Sequence, residues 1–238
     1  MSVITPSATV MAWLGQQSWG QQRYDVVEES DVTGDASTLA GAPPRWRVGL
    51  ASARGLTLDV AGEWEALVLD LEGGINYLAV YDVLRPAPVG TLRGNPLLGA
   101  DLGVGATAAV IDNAIGTIEK GDWFSIGTGL GTSQLVKATQ RVVSAVSTPG
   151  TYAWTNAGPA FSWTNGGPAF TWAWPGAQVT LNFKPAIRRA LAWGLPLVWD
   201  KPVGYYKMVN NTVSWAASAN GPAIDGFALD LIEQWPST

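Results

Sequence analysis

The side chains able to make or break bonds are few in this sequence. Histidine and cysteine are both absent from its 238 residues. That removes the commonest general acid–base, the commonest metal ligand and the usual nucleophile–base pairs. Carboxylates remain. Glu28, Glu29, Asp31 and Asp35 crowd one acidic segment, and Glu63 and Glu65 follow on a stretch of helical periodicity. Two carboxyl groups suffice for a glycosidase, one protonated and one ionised. Yet acids in a Gly/Ser/Thr-rich segment such as residues 28–37 read first as solvated surface. Two glycine-rich stretches fail as phosphate loops. GADLGVG at 99–105 has no buried strand before it and no amphipathic helix after it, and GTGLGT at 127–132 lacks the Lys-Ser/Thr of a P-loop. Both read as turns between short strands. Arg188-Arg189, the densest basic pair, reads as a solvated turn or an ion-pairing site. The expectation is no enzyme, no cofactor and no metal site.

The elements that would position these residues are mostly short strands. Arg45–Leu50 alternates polar and apolar residues, as a half-buried strand does. In AGEWEALVLDLE the residues Ala61, Trp64, Val68 and Leu71 recur at helical spacing, widened by Leu67. The periodicity predicts a helix near 59–72, with Asp59 capping its first turn and Gly73-Gly74 ending it. Asn76–Val83 resumes as a strand apolar on both faces. After Arg85-Pro86-Ala87-Pro88 the texture changes to β-prone pieces between Gly, Pro and Asn turns. Strands are predicted at 121–126, 134–143 and 178–183. Lys207–Trp215 carries an Asn-Asn centre expected of a tight hairpin. Near the end Phe227, Leu229 and Leu231 alternate with Ala228, Asp230 and Ile232, a terminal strand suited to completing a sheet begun near the N-terminus. The reading is a discontinuous first domain, 1–92 plus 206–238, with a β-rich insert at 93–205 forming a small barrel or sandwich.

Composition constrains the partners. Charged residues make up only 14%, against roughly 25% in an average soluble domain. No charge occurs from Val142 to Phe183 or in the first 22 residues. Uncharged, aromatic-rich stretches of this kind are usually covered, often by a neighbouring subunit. A membrane does not explain them, because no run of 18 apolar residues exists. The N-terminus lacks the basic start and compact apolar segment of a signal peptide, so folding in a cytoplasm is expected. A net charge of −5 argues against nucleic-acid binding.

One stretch repeats itself. Tyr152 and Trp154, Phe161 and Trp163, then Phe170 and Trp172 with Trp174 recur at a period of nine, separated by Asn, Gly and Pro. Residues two apart share a face in an extended chain, so three short strands would gather these rings on one surface. Three readings stay open. The rings pack into the insert's own core, dock against another subunit, or stack on sugar rings, although no acid, base or Gln flanks them to hold sugar hydroxyls.

The order PPRWRVGL, EWEALVLDLEGGINYLAVYDVLRPAPVGTLRGNP, GDWFSIG, ALAWGLPLVWDKPVGYYKMVNNTVSW and GFALDLIEQW resembles the distal tail proteins, minor tail proteins of long-tailed (siphovirus-type) bacteriophages. The likeness covers most of the chain and is weakest around 144–178. It transfers no active-site residue. It implies a structural virion protein at the distal end of the tail, assembled in the host cytoplasm. It further implies a ring, usually a homohexamer, that joins the tail tube protein to the baseplate hub. In that family a sheet-plus-helix domain forms the ring and an additional β domain faces outward. The expected fold is therefore mainly β with one principal helix: a β-sandwich-like ring domain carrying an inserted small β-barrel or sandwich. Trp13 and Trp19, close to Gln16-Gln17 and Gln21-Gln22, read as contacts for an adjoining ring. The alternative from another class is a carbohydrate-binding module of the tail that touches the host surface. A carboxylate-based glycosidase is the third.

Overall fold

A computed structural model describes residues 1–29, 31, 33, 35–39, 41–144, 177–210, 213–217 and 224–236. The first half contains β1 (Val3–Ile4), α1 (Ala8–Ala12), β2 (Leu14–Gln22), β3 (Val26–Glu29), β4 (Ala36–Leu39), β5 (Arg45–Ser52), α2 (Leu58–Asp70), β6 (Tyr77–Val80), β7 (Leu97–Leu98), β8 (Ala108–Ala114) and β9 (Thr117–Ile118). The remainder contains β10 (Trp123–Ile126), β11 (Gln134–Ala138), β12 (Val142–Val143), β13 (Ala177–Lys184), β14 (Leu197–Val198), β15 (Gly204–Met208), β16 (Ala216–Ala217), β17 (Ile224–Asp225) and β18 (Ala228–Glu233). The protein is mainly β with one principal helix.

Two six-stranded sheets dominate. The first runs β1-β6-β15-β18-β5-β2 and draws on both ends of the sequence. All its pairings are antiparallel except β1 with β6. Its strands alternate as the sequence predicts: Trp46, Val48 and Leu50 of β5 and Leu229 and Leu231 of β18 turn to one face and are buried. α2 covers part of that face with Val60, Ala61, Trp64 and Leu67. Trp64 is fully buried and stacks on Phe227, centroids 5.8 Å apart, and Trp215 stacks against Phe227 at 5.2 Å. Burying one such side chain contributes roughly 2–3 kcal/mol, so Trp64 anchors the helix. The residue at the cap position is Thr57, and Asp59 instead lies in the first turn. There its charge still favours the positive end of the helix. The helix ends before the predicted glycines: Leu71 caps it, Glu72 at φ 47° leaves it, and Gly73 and Gly74 (φ 63° and 100°) carry the turn that follows.

The second sheet runs β14-β10-β11-β13-β8-β7, all from the stretch between β6 and β15. Its outer strands meet: Leu97 bridges Pro196, Leu98 N–H donates to the Leu195 carbonyl at 2.7 Å, and Leu197 N–H to the Pro96 carbonyl at 2.9 Å. The sheet is a nearly closed barrel. Closure leaves few unpaired backbone groups at its edges. Phe124, Ile126, Val136, Leu181, Phe183 and Ile187 fill the interior.

Two expected elements differ. The strand predicted over 134–143 breaks into β11 and β12, because Thr139 N–H turns to the Asn182 carbonyl and Val142–Val143 pairs with β9. The hairpin predicted over Lys207–Trp215 has its turn centre at Asn210-Asn211, and Asn211 and Thr212 lie outside the described residues; Val213–Trp215 form no strand. β15 already has β6 on one edge and β18 on the other, so no edge is free for a returning strand.

Candidate assembly surfaces

The two sheets meet at an aromatic junction. Trp19 of β2, Trp46 of β5 and Trp123 of β10 converge, with Trp123 4.8 Å from Trp19 and 4.7 Å from Trp46, centroid to centroid. Trp46 Nε1–H donates to the Leu135 carbonyl of β11 at 2.9 Å, and Trp123 Nε1–H to the Asp82 carboxylate at 2.9 Å. The Lys137 ammonium lies 4.5 Å above the Trp123 ring. The segment linking the sheets is held as well. The Gln17 side chain donates to the Tyr81 carbonyl at 2.8 Å and accepts from Val83 N–H at 2.9 Å. Asp122, 2% exposed, accepts from the N–H groups of Val89, Gly90 and Glu119 at 2.7, 3.2 and 2.8 Å. Its carboxylate ties together the turn before β10 and the crossing from β6.

Beside this junction lies a buried polar group. Glu233 continues the inward series Leu229, Leu231 and is 1% exposed, with Tyr206 opposite it in register. One carboxylate oxygen accepts from Trp46 N–H at 3.3 Å, while Oε1, the Tyr206 hydroxyl and Arg45 Nε have no partner among the described residues. Burial pushes the Glu233 carboxyl up to about 7, against the opposing pull of the Trp46 N–H, Arg188 and Arg45. A cavity of about 140 Å³ opens here between Arg45, Arg188, Glu233, Gln234 and Trp235.

Outward-facing surfaces differ in character. The reverse face of the first sheet carries two rows of small or polar residues, Gln16–Ala51–Ala228 and Ser18–Gly49–Asp230, around a depression of about 330 Å³. Arg47 pairs with Asp230 beside it, its Nε–H donating at 2.8 Å. β3 and β4 form a separate two-stranded hairpin in which every described residue is exposed.

Trp13 and Trp19 are placed differently. Trp13 ends α1 and is 40% exposed. Trp19 is half-buried, its ring set against Trp46, Trp123 and Tyr206. Tyr152, Trp154, Phe161, Trp163, Phe170, Trp172 and Trp174 lie outside the described residues. The carboxylates weighed for glycoside hydrolysis fall into two groups. Glu28, Glu29, Asp31 and Asp35 stand exposed on the hairpin, Glu63 is exposed on α2, and Glu65 is half-buried there. GTGLGT at 127–132 is the turn joining β10 to β11, with Gly127, Gly129 and Gly131 at positive φ. Among the described residues no group of three or more acids is placed to hold a metal ion, and no helix is long and apolar enough to cross a membrane. Sequence reading missed Asp122 and Glu233. Spacing marks the second, since an i+2 series through Leu229 and Leu231 reaches Glu233. Compared with known proteins, the chain matches no family model and no curated protein.

Proposed function

We propose that this chain is a structural virion protein at the distal end of a long-tailed phage tail, a ring-forming adaptor between the tail tube and the baseplate hub. The observation that carries the reading is the division of the strands. A sheet backed by one helix is built from both ends of the chain, and a barrel occupies the sequence between β6 and β15. This division supports the layout the resemblance implies, a sheet-plus-helix ring domain (1–92 plus 206–238) bearing a second β domain (93–205). The four hairpin acids all stand exposed, with none of them buried as a proton donor would be, which favours scaffolding over hydrolysis. An open sheet face of small residues and an exposed hairpin supply surfaces for neighbours.

Mass measurement of the purified protein with negative-stain imaging, then cryo-microscopy of the particles, tests this. The expected result is a closed ring, six copies per tail, between tube and hub. A single copy per particle, or absence from the particle, would overturn it.

A further inference from the structure

The β3–β4 hairpin is anomalous as a free-standing element. It pairs Val26 with Leu39 and Glu29 with Ala36, belongs to neither large sheet, and buries none of its described side chains. A two-stranded hairpin alone in water is marginally stable, so this one needs a surface to lie on. Its side chains describe that surface. Val26 and Leu39 are register partners on one face near its base, 51% and 70% exposed. Glu28, Glu29, Asp31 and Asp35 follow towards its tip, and among the described residues none has a cation within 4 Å. These four acids concentrate the protein's negative charge, leaving fifteen acidic against fourteen basic residues elsewhere.

A complementary surface exists on the same molecule. Lys137 of β11 stands directly opposite Lys184 of β13, a like-charge pairing that costs stability unless anions approach. The Arg85 guanidinium and the Lys137 side chain both reach Gly121, 3.4 and 3.9 Å from the point where a Cβ would sit. Burial and then Arg85 lower the Lys137 pKa, with Asp82 opposing. No ion pair among the described residues engages Arg85, Lys137 or Lys184. Beside Arg85, Leu84 and Val89 are 84% and 76% exposed. This face thus offers both an apolar strip and unneutralised cations.

We infer that the acidic hairpin of one copy docks on the Arg85–Lys137–Lys184 face of a second copy, with Val26 and Leu39 against its Leu84 and Val89. Hairpin and face are different surfaces of one chain, so the contact is heterologous and propagates by rotation until a ring closes. The choice of a second copy as occupant rests on the ring reading above.

Charge reversal tests the contact, using exposed residues only and sparing Lys137, which packs on Trp123. One variant carries Glu28→Lys, Glu29→Lys, Asp31→Lys and Asp35→Lys. The other carries Arg85→Glu and Lys184→Glu. Tryptophan emission verifies that both fold, and sedimentation velocity reads self-association of the full chain. Each variant alone is expected to associate at least about tenfold more weakly than wild type, and an equimolar mixture to recover association, since each hairpin then meets an opposite charge. Undiminished assembly of either variant overturns the docking while leaving the ring intact. A mixture that stays dissociated overturns it too. Wild type that remains monomeric at its solubility limit removes the second copy as occupant. Recovered association that stops at dimers keeps the docking and rejects the ring.

Discussion

The indole N–H of Trp46, in the first sheet, donates to the carbonyl of Leu135, in the barrel, at 2.9 Å. This bond crosses the seam between the sheets, and Trp123 crosses it in the other direction by lying against Trp19 and Trp46. Three tryptophans, the Asp82 carboxylate that holds Trp123 and the Asp122 carboxylate on the linking segment place sheet and barrel relative to each other.

Trp46→Phe keeps most of the ring but deletes the donor, leaving the Leu135 carbonyl without that partner. The expected loss is about 1–3 kcal/mol in urea unfolding. Trp123→Ala removes a side chain 4% exposed and should cost about 3–5 kcal/mol. Midpoints unchanged in both variants would show that the seam holds nothing.

Glu233 gives stability a pH dependence. Its carboxyl is held at about 7 in the folded protein, above the ordinary 4.5. The folded state therefore keeps a proton that the unfolded chain has released. The favourable contribution is full below about pH 4.5 and is lost as pH rises through 7, on the order of 3 kcal/mol in all. Glu233→Gln retains an acceptor for the Trp46 N–H and cannot ionise. It should flatten the slope between those pH values and stabilise the protein above pH 7. An identical slope in the variant would remove Glu233 as its source.

Asp122→Ala strips the acceptor from three backbone N–H groups at once. The expected cost is about 3 kcal/mol or more. Hydrogen exchange should accelerate at Val89, Gly90 and Glu119 in particular, and Asp122→Asn should recover part of the protection. Protection unchanged at those three amides would contradict the clamp.

Gly116→Ala tests the turn between β8 and β9. Its φ is 100°, and an added Cβ would land on the Thr91 carbonyl. A loss of about 2 kcal/mol or more is expected in thermal unfolding. Gly103→Ala, where a Cβ meets nothing within 4 Å, is the control and should change little. Equal behaviour of the two would reject the steric account.

Local periodicity made some elements legible. The Trp46–Val48–Leu50 alternation and the Ala61–Trp64–Leu71 stripe each need only neighbours in sequence to be read. Barrel closure does not, because β7 and β14 have two residues each and meet through Leu97 and Pro196. Polar residues hid the position of Trp19. Gln16, Gln17 and Ser18 suggest an open surface, yet Trp19 sits opposite Val48 with its ring at the seam. The unexpected occupancy of both β15 edges follows from long-range pairing, which an Asn-Asn turn signal cannot reveal.

Val80 and Gly204 are register partners on β6 and β15, so residues 81–203 depart from and rejoin the first sheet at one spot. None of the described strands between them belongs to the first sheet, so the strand order of that sheet does not depend on their sequence. Without Trp123 and Leu135, however, the indoles of Trp19 and Trp46 lose the partners they meet across the seam. Sequence change between β6 and β15 is thereby constrained most at the Trp123 ring and the Leu135 carbonyl that meet the first sheet.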